Sequence, residues 1–183
     1  NGFILDPIDG TRSFIENYKT YVTQIAYIKR GEIICSVVFA PELDMIFSSE
    51  LNSGAFLNNQ QLKSIKLKKN FSESVIIDNY PKPSKLIQTI MKENNISKYK
   101  ECGSLGLKIS LIASNFANIM VKPNLCRIWD IAAPLLILSE SKGQLFEYSG
   151  LPINLDSLYK NQYKGLIALS NNLDVSKIVN SYK

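Results

Sequence analysis

The sequence predicts a layered α/β (α+β) fold, a sandwich of sheets and helices, and three observations carry that expectation. The first 60 residues alternate β-branched and aromatic runs with short turn signals, the pattern of an antiparallel meander. From Val75 onward, short β-branched runs alternate with helical apolar stripes. Hydrophobic residues make up 45% of the 183 positions and charged residues 20%, which supports a sizeable core and excludes general disorder. The length suits one domain, 1–183, with the meander in 1–80 and the helix–strand alternation in 81–183.

Taken in order, Phe3-Ile4-Leu5 reads as a buried strand that stops at Asp6-Pro7, and a short helix follows from Thr11 to Glu16. Strands are expected from Thr20 to Lys29, Glu32 to Ala40 and Met45 to Ser49, separated by turns at Arg30-Gly31 and Pro41-Glu42. Their few polar positions suggest a sheet covered on both faces. Asn52-Ser53-Gly54 and Asn58-Asn59 punctuate a loop or small hairpin around Ala55-Phe56-Leu57. The basic stretch from Lys63 to Lys69 reads as a solvated edge strand, because it lacks the aromatic stacking partners of a nucleic-acid module. Val75-Ile76-Ile77 is a strand. Pro83-Ser84 opens a helix with Leu86, Ile87, Ile90 and Met91 on one face. Gly103-Ser104 opens another, with a stripe of Leu105, Ile109, Ile112 and Phe116. Ala117 to Val121 is a strand, and Asp130 reads as the N-cap of a helix from Ile131 to Leu138 that ends near Gly143. Leu145-Phe146 and Leu166 to Leu169 are late strands, and Asn171 or Asn172 caps a last helix carrying Val175, Ile178 and Val179.

Histidine is absent, which excludes Ser-His-Asp and Cys-His catalysis and any imidazole-bound zinc. Cys35, Cys102 and Cys126 form no CxxC pair, and an odd count suits a reducing compartment, the cytoplasm. The charge of +5 comes mostly from scattered lysines, a solvated surface more than a site for a polyanion. No apolar run approaches the ~20 residues that span a bilayer. Neither a membrane nor a nucleic-acid polymer is expected as a partner, and the oligomeric state is open.

The sharpest string is Asp6-Pro7-Ile8-Asp9-Gly10-Thr11, between a strand and a helix start. Pro7 limits backbone freedom, Gly10 permits a tight turn, and two carboxylates without a histidine or thiolate partner favour Mg²⁺. The plainer reading of the spacing is a capped turn, with Asp9 as an N-cap and Asp6 in an Asx turn. Trp129-Asp130-Ile131-Ala132-Ala133 is the second string, where Asp130 can cap a helix and still offer an oxygen to a metal. Gly103-Ser104-Leu105-Gly106-Leu107-Lys108 is the third, with glycines that let a ligand near the backbone and Lys108 as a candidate counter-charge; taken alone, it reads first as an ordinary helix start with a solvated lysine.

Together these strings resemble the inositol monophosphatase-like superfamily of metal-dependent phosphatases. The first two look like its two metal motifs, in order, and Gly54-Ala55-Phe56-Leu57-Asn58 resembles a third family string. Within the superfamily, Gly103 to Lys108 and Asp130-Ile131-Ala132-Ala133-Pro134 are similar to the 3′(2′),5′-bisphosphate nucleotidase branch, which acts on adenosine 3′,5′-bisphosphate. Inositol monophosphatase is the alternative.

The resemblance implies hydrolysis of a small phosphate monoester by Mg²⁺-activated water. Asp6 would bridge two ions, the Ile8 carbonyl would complete one site, and Asp9 and Asp130 would hold the other. Thr11 would orient the water, the Gly10 and Thr11 amides would cradle phosphate oxygens, and Ser104 and Lys108 would contact substrate. Family members carry a metal-binding Glu in an acidic stretch ahead of the first motif. This sequence starts at Asn1, just before that motif, so it is read as a fragment lacking that stretch, a poor phosphatase or none alone, with an enlarged apolar patch expected near Phe3 to Leu5 and the meander. A reading of a different class is a non-catalytic remnant that only binds metal or phosphate.

Overall fold

The computed structural model describes residues 1–63, 71–79, 81–153, 162–170 and 173–182. Most of the basic stretch after Lys63 and the caps expected at Asn171 or Asn172 lie outside the described residues.

Six strands form the first sheet in the order of the chain: β1 (Gly2–Asp9), β2 (Val22–Lys29), β3 (Glu32–Ala40), β4 (Met45–Glu50), β5 (Gly54–Leu57) and β6 (Gln60–Gln61). All neighbours are antiparallel. Two turns have both central residues left-handed, Arg30-Gly31 (φ 53 and 87) and Asn58-Asn59 (φ 48 and 64), the backbone that two-residue hairpins require.

The second sheet has five strands in the order β11 (Gln144–Glu147), β13 (Leu166–Leu169), β9 (Ile119–Lys122), β7 (Val75–Asp78) and β8 (Lys98–Glu101). Strand β7 runs parallel to β8 and to β9, while β13 is antiparallel to β9 and β11. A two-residue ladder joins β10 (Cys126–Arg127) to β12 (Gln162–Tyr163).

Helices α3 (Leu105–Ala113) and α4 (Ile128–Glu140) fill the space between the sheets, and their apolar residues join Val38, Phe47 and Ala55 of the first sheet to Ile77, Met120 and Ala168 of the second. Their central position explains their composition, since both are buried on nearly every side instead of along one stripe. Helices α2 (Lys85–Glu93) and α5 (Val175–Asn180) close the far face of the second sheet through Ile87, Ile90, Ile178 and Val179. The short helix α1 (Thr11–Ile15) follows β1. Small residues on the inner face of the first sheet, among them Ala26, Ser36, Ala40 and Ser49, let α4 approach closely, and Ser36 donates to the Ala133 carbonyl at 2.9 Å.

Several expectations are corrected. Strand β1 does not stop at Asp6-Pro7 but runs to Asp9 through a register shift. Among the described residues the first sheet is covered on one face, not both: Phe3 (69% exposed), Leu5 (53%), Ile25, Phe39 and Ile46 point outward, which is the apolar patch expected near Phe3 to Leu5 and the meander. Strict alternation along each strand was the signal for this, and the many β-branched residues masked it. Phe116 lies beyond the end of α3 and is exposed. Helix α4 begins at Ile128, so Asp130 stands at its third position, and the N-cap is Arg127. Helix α5 is capped by Asp174, which accepts from the Ser176 amide.

Candidate active site

Residues three apart on a regular strand face opposite sides of a sheet. Asp6 and Asp9 nevertheless turn to the same side. Asp6 pairs with Gln24 and Asp9 with Val22, so three steps on β1 match two on β2, and the extra residue is bulged out at Pro7-Ile8. Proline suits that place because it has no amide hydrogen to leave unpaired. The bulge is closed by the Ile8 amide donating to Asp6 Oδ1 (3.2 Å), the Asx turn anticipated for Asp6, and by Thr23 Oγ1 donating to the Pro7 carbonyl (2.8 Å).

Gly10, left-handed at φ 87, then turns the chain into α1; a Cβ there would lie 3.1 Å from both Thr20 O and Ser104 Cβ. Asp9 does not cap α1, since Gly10 holds that position. It reaches across to α3 instead, where Oδ2 accepts from Ser104 Oγ (2.5 Å) and from the Gly106 amide (2.6 Å). Ser104 Oγ accepts in turn from the Leu107 amide (2.9 Å). Two of the unpaired amides at the start of α3 are thus satisfied, one by its own N-cap and one by an aspartate nearly a hundred residues earlier. Thr20 anchors the same corner, its carbonyl accepting from the Ser104 amide and its hydroxyl from the Gly103 amide, each at 3.0 Å.

Asp130 enters from the first turn of α4, where Oδ2 accepts from the Arg127 amide (2.6 Å). One carboxylate oxygen each of Asp6, Asp9 and Asp130 lies within 4.8 Å of the others. Two charges at that distance repel by about 3 kcal/mol at an effective dielectric of about 20. Burial raises the Asp6 carboxyl above its ordinary range, and the neighbouring Asp130 adds to the rise. For Asp9 burial is again the largest cause, and its carboxyl is pushed up to about 6 in spite of the Ser104 and Gly106 hydrogen bonds that favour the charged form. A cluster of hard oxygen donors that repel each other and are partly starved of water fits a divalent cation such as Mg²⁺, which supplies the missing positive charge.

The remaining expected site residues are placed as follows. Thr11 is exposed and its hydroxyl donates to the Ile8 carbonyl at 3.4 Å. Ser104 is fully buried and its hydroxyl is committed to Asp9 and Leu107. Lys108 is also buried, on the inner helix α3, and its Nζ donates to Asn79 Oδ1 at 2.6 Å. Its environment lowers its pKa, chiefly through burial. Neither side chain is on an open surface, because α3 lies between two sheets. Asn79 is exposed and borders a hollow of about 130 Å³ shared with Gly10, Arg12, Ser13 and Gly103.

Sequence reading missed Thr20, Gln24 and Asn79. Only Gln24 left a signal: with Val22 and Ala26 it shares the inward face of β2, a single amide among apolar side chains.

Residues 1–177 match the Inositol monophosphatase family. The chain belongs to that family. Among curated relatives it is 30% identical over 182 residues to the fructose-1,6-bisphosphatase/inositol-1-monophosphatase of Thermotoga maritima, covering 97% of this chain and 67% of the relative. It is 29% identical over 155 residues to inositol monophosphatase 2 of Saccharomyces cerevisiae, covering 77% and 53%. A 3′(2′),5′-bisphosphate nucleotidase CysQ of Aggregatibacter actinomycetemcomitans is 24% identical over 155 residues, covering 82% and 57%. The solved structure of Thermotoga maritima IMPase superposes with a TM-score of 0.82 at 26% identity, covering 98% of this chain and 67% of that one. The chain therefore spans between about half and two thirds of the length of the family relatives it matches. The layered architecture is that of the inositol monophosphatase fold.

Proposed function

We propose that this chain carries the metal centre of a Mg²⁺-dependent phosphate monoester hydrolase. The observation that carries the reading is the convergence of Asp6, Asp9 and Asp130 from a bulged strand and a helix start, with oxygen donors only. In this reading Asp6, Asp9, Asp130 and the Ile8 carbonyl hold the metal. When bound, Mg²⁺ activates water and stabilises charge on the leaving oxygen. The Thr11 hydroxyl spends its hydrogen on the Ile8 carbonyl, so its lone pairs can accept from the attacking water and orient it. The turn from the half-buried Gly10 to the exposed Thr11 offers amides to the phosphoryl oxygens.

For the substrate, we favour adenosine 3′,5′-bisphosphate, as in the bisphosphate nucleotidase branch, with an inositol monophosphate as the alternative that most of the relatives' names suggest. The hollow lined by Gly10, Arg12 and Asn79 supports the first. Lys108 occupies the Asn79 amide oxygen, which leaves the Asn79 nitrogen to offer hydrogens to a second anionic group beside Arg12. Lys108 then acts behind Asn79 and does not touch substrate, and Ser104 acts behind Asp9. The three free cysteines suit a reducing, cytoplasmic setting, and among the described residues no helix is long and apolar enough to cross a membrane.

The test is phosphate release from both substrates, with Mg²⁺ and with EDTA, by the 183-residue chain and by Lys108→Met. Mg²⁺-dependent release that favours the bisphosphate, and a preference reduced about tenfold in the variant, supports both levels of the reading. Release that favours inositol 1-phosphate moves the substrate to the alternative. No Mg²⁺-dependent release, with Mg²⁺ binding intact, leaves the remnant reading.

A further inference from the structure

We propose that Gln24 is a positioning residue for the metal centre: its amide ties the β1–β2 pair that carries Asp6 to the start of α4 that carries Asp130, and its carbonyl fills the space opened by Gly106. The inference rests on the metal-holding reading above.

Gln24 is 1% exposed, on the inner face of β2 directly opposite Asp6. Its Nε2 donates to the Trp129 carbonyl at 3.0 Å, one residue from Asp130. The register places its side chain next to that of Asp6, on the same face of neighbouring strands. Trp129 O is an acceptor, so the NH₂ end must face it. Turning the amide over would set oxygen against oxygen. That orientation leaves Oε1 with no hydrogen-bond partner although it is buried. A buried carbonyl without a donor costs about 1–3 kcal/mol, so its presence calls for an explanation.

The position of Oε1 supplies one. A Cβ built on Gly106 would lie 2.2 Å from Gln24 Oε1 and 3.2 Å from Asp9 Oδ2. The orphan oxygen thus sits beside the Asp9 carboxylate, facing a site in which the protein contributes acceptors. A hydrated Mg²⁺ brings hydrogens to such a place. Glycine at 106 is then required by Gln24, since any side chain there would displace the amide. One glutamine thereby sets the spacing of all three carboxylates: it is paired with Asp6 across the strands, holds the Asp130 turn by its nitrogen and borders Asp9 by its oxygen. Without it, mutual repulsion can spread the carboxylates before an ion arrives.

Two experiments on the 183-residue chain test this. The first measures Mg²⁺ binding by calorimetry and thermal unfolding in EDTA for wild type, Gln24→Met and Gln24→Asn. Methionine keeps the volume without polar atoms, and asparagine keeps the amide but is too short to reach. Both variants should bind Mg²⁺ about 10–100-fold more weakly, the range seen when a group that orients a ligand is lost, while unfolding in EDTA changes little. A purely structural glutamine would lower the melting temperature and leave the affinity alone. Equal Mg²⁺ affinity in wild type and variants overturns the inference. No Mg²⁺ binding by wild type overturns the metal reading itself, and the inference with it. The second experiment measures urea unfolding in EDTA for Gly106→Ala, Gln24→Ala and the double variant. Gly106→Ala should be destabilising alone and clearly less so beside Gln24→Ala. Additive effects would show that Gln24 Oε1 and Gly106 do not share that space, and would overturn the geometric half of the inference.

Discussion

Replacing Asp9 with asparagine should stabilise the metal-free chain and remove its response to Mg²⁺. The structure sets the size of the first effect. Burial moves the Asp9 carboxyl from 3.8 to about 6, and each pH unit of such a change is worth about 1.4 kcal/mol, so ionising Asp9 costs the folded state about 3 kcal/mol. The sign follows from proton counting. Between these two values the folded chain holds the proton more firmly than the unfolded chain, so stability without metal falls as pH rises through about 4 to 6 and is level above about 7. Asparagine keeps an oxygen to accept from Ser104 and Gly106, and it turns an NH₂ towards Asp6 and Asp130 in place of a charge. At pH 7.5 in EDTA, Asp9→Asn should gain about 3 kcal/mol, equivalent to roughly 6–12 °C for a chain of this size. Mg²⁺ at about 100 times its dissociation constant should stabilise wild type by about 2.7 kcal/mol and the variant hardly at all. Urea unfolding with EDTA and with Mg²⁺, from pH 4 to 8, reads all of this. A variant less stable than wild type in EDTA, or one that still gains from Mg²⁺, would refute the reasoning.

Ser104→Ala removes the N-cap of α3 and a donor that holds Asp9 ionised. It should cost about 1 kcal/mol and shift the pH midpoint of Mg²⁺ binding upward, which calorimetry at a series of pH values checks. Gly10→Ala places a side chain on a left-handed residue and 3.1 Å from two neighbours, and should cost about 1–3 kcal/mol in urea unfolding. On the outer face of the first sheet, Leu5→Thr and Phe39→Thr should each change stability by about 0.5 kcal/mol or less and reduce self-association in light scattering, whereas the inward Val38→Thr should be clearly destabilising.

The residues that made the fold legible are those whose local chemistry leaves one choice. Arg30-Gly31 and Asn58-Asn59 named their hairpins because few residue pairs accept two left-handed positions. Ser84 and Ser104 named helix starts because each accepts from the amide three residues on. Strand β8, Lys98–Glu101, escaped notice because it is an edge strand of mostly charged residues with no apolar alternation to report it. The exposed apolar face at Phe3 to Leu5 and the meander is as expected, whereas the few polar positions of the meander suggest cover on both faces, because composition alone does not say which face meets water.

At the site, the first motif was legible as a turn between strand and helix, but that Asp6 and Asp9 share a face depends on a bulge defined by pairing with β2. That Asp9 serves α3, and that Gln24 lies between three elements, are long-range facts set by packing. Lys108 looked solvated because a lysine on a helix usually is; here α3 runs between two sheets, and the ammonium group donates to Asn79 Oδ1.

The most direct test of the central claim, that Asp6, Asp9 and Asp130 form one Mg²⁺-holding centre, is calorimetric titration of the 183-residue chain and of Asp130→Asn with Mg²⁺ at pH 7.5. Asp130 is the right residue to change because it comes from the far end of the chain and joins the cluster only in this fold. The account predicts saturable binding by wild type that is lost or weakened at least tenfold in the variant. Identical isotherms for the two proteins, or no saturable heat from wild type, would contradict it.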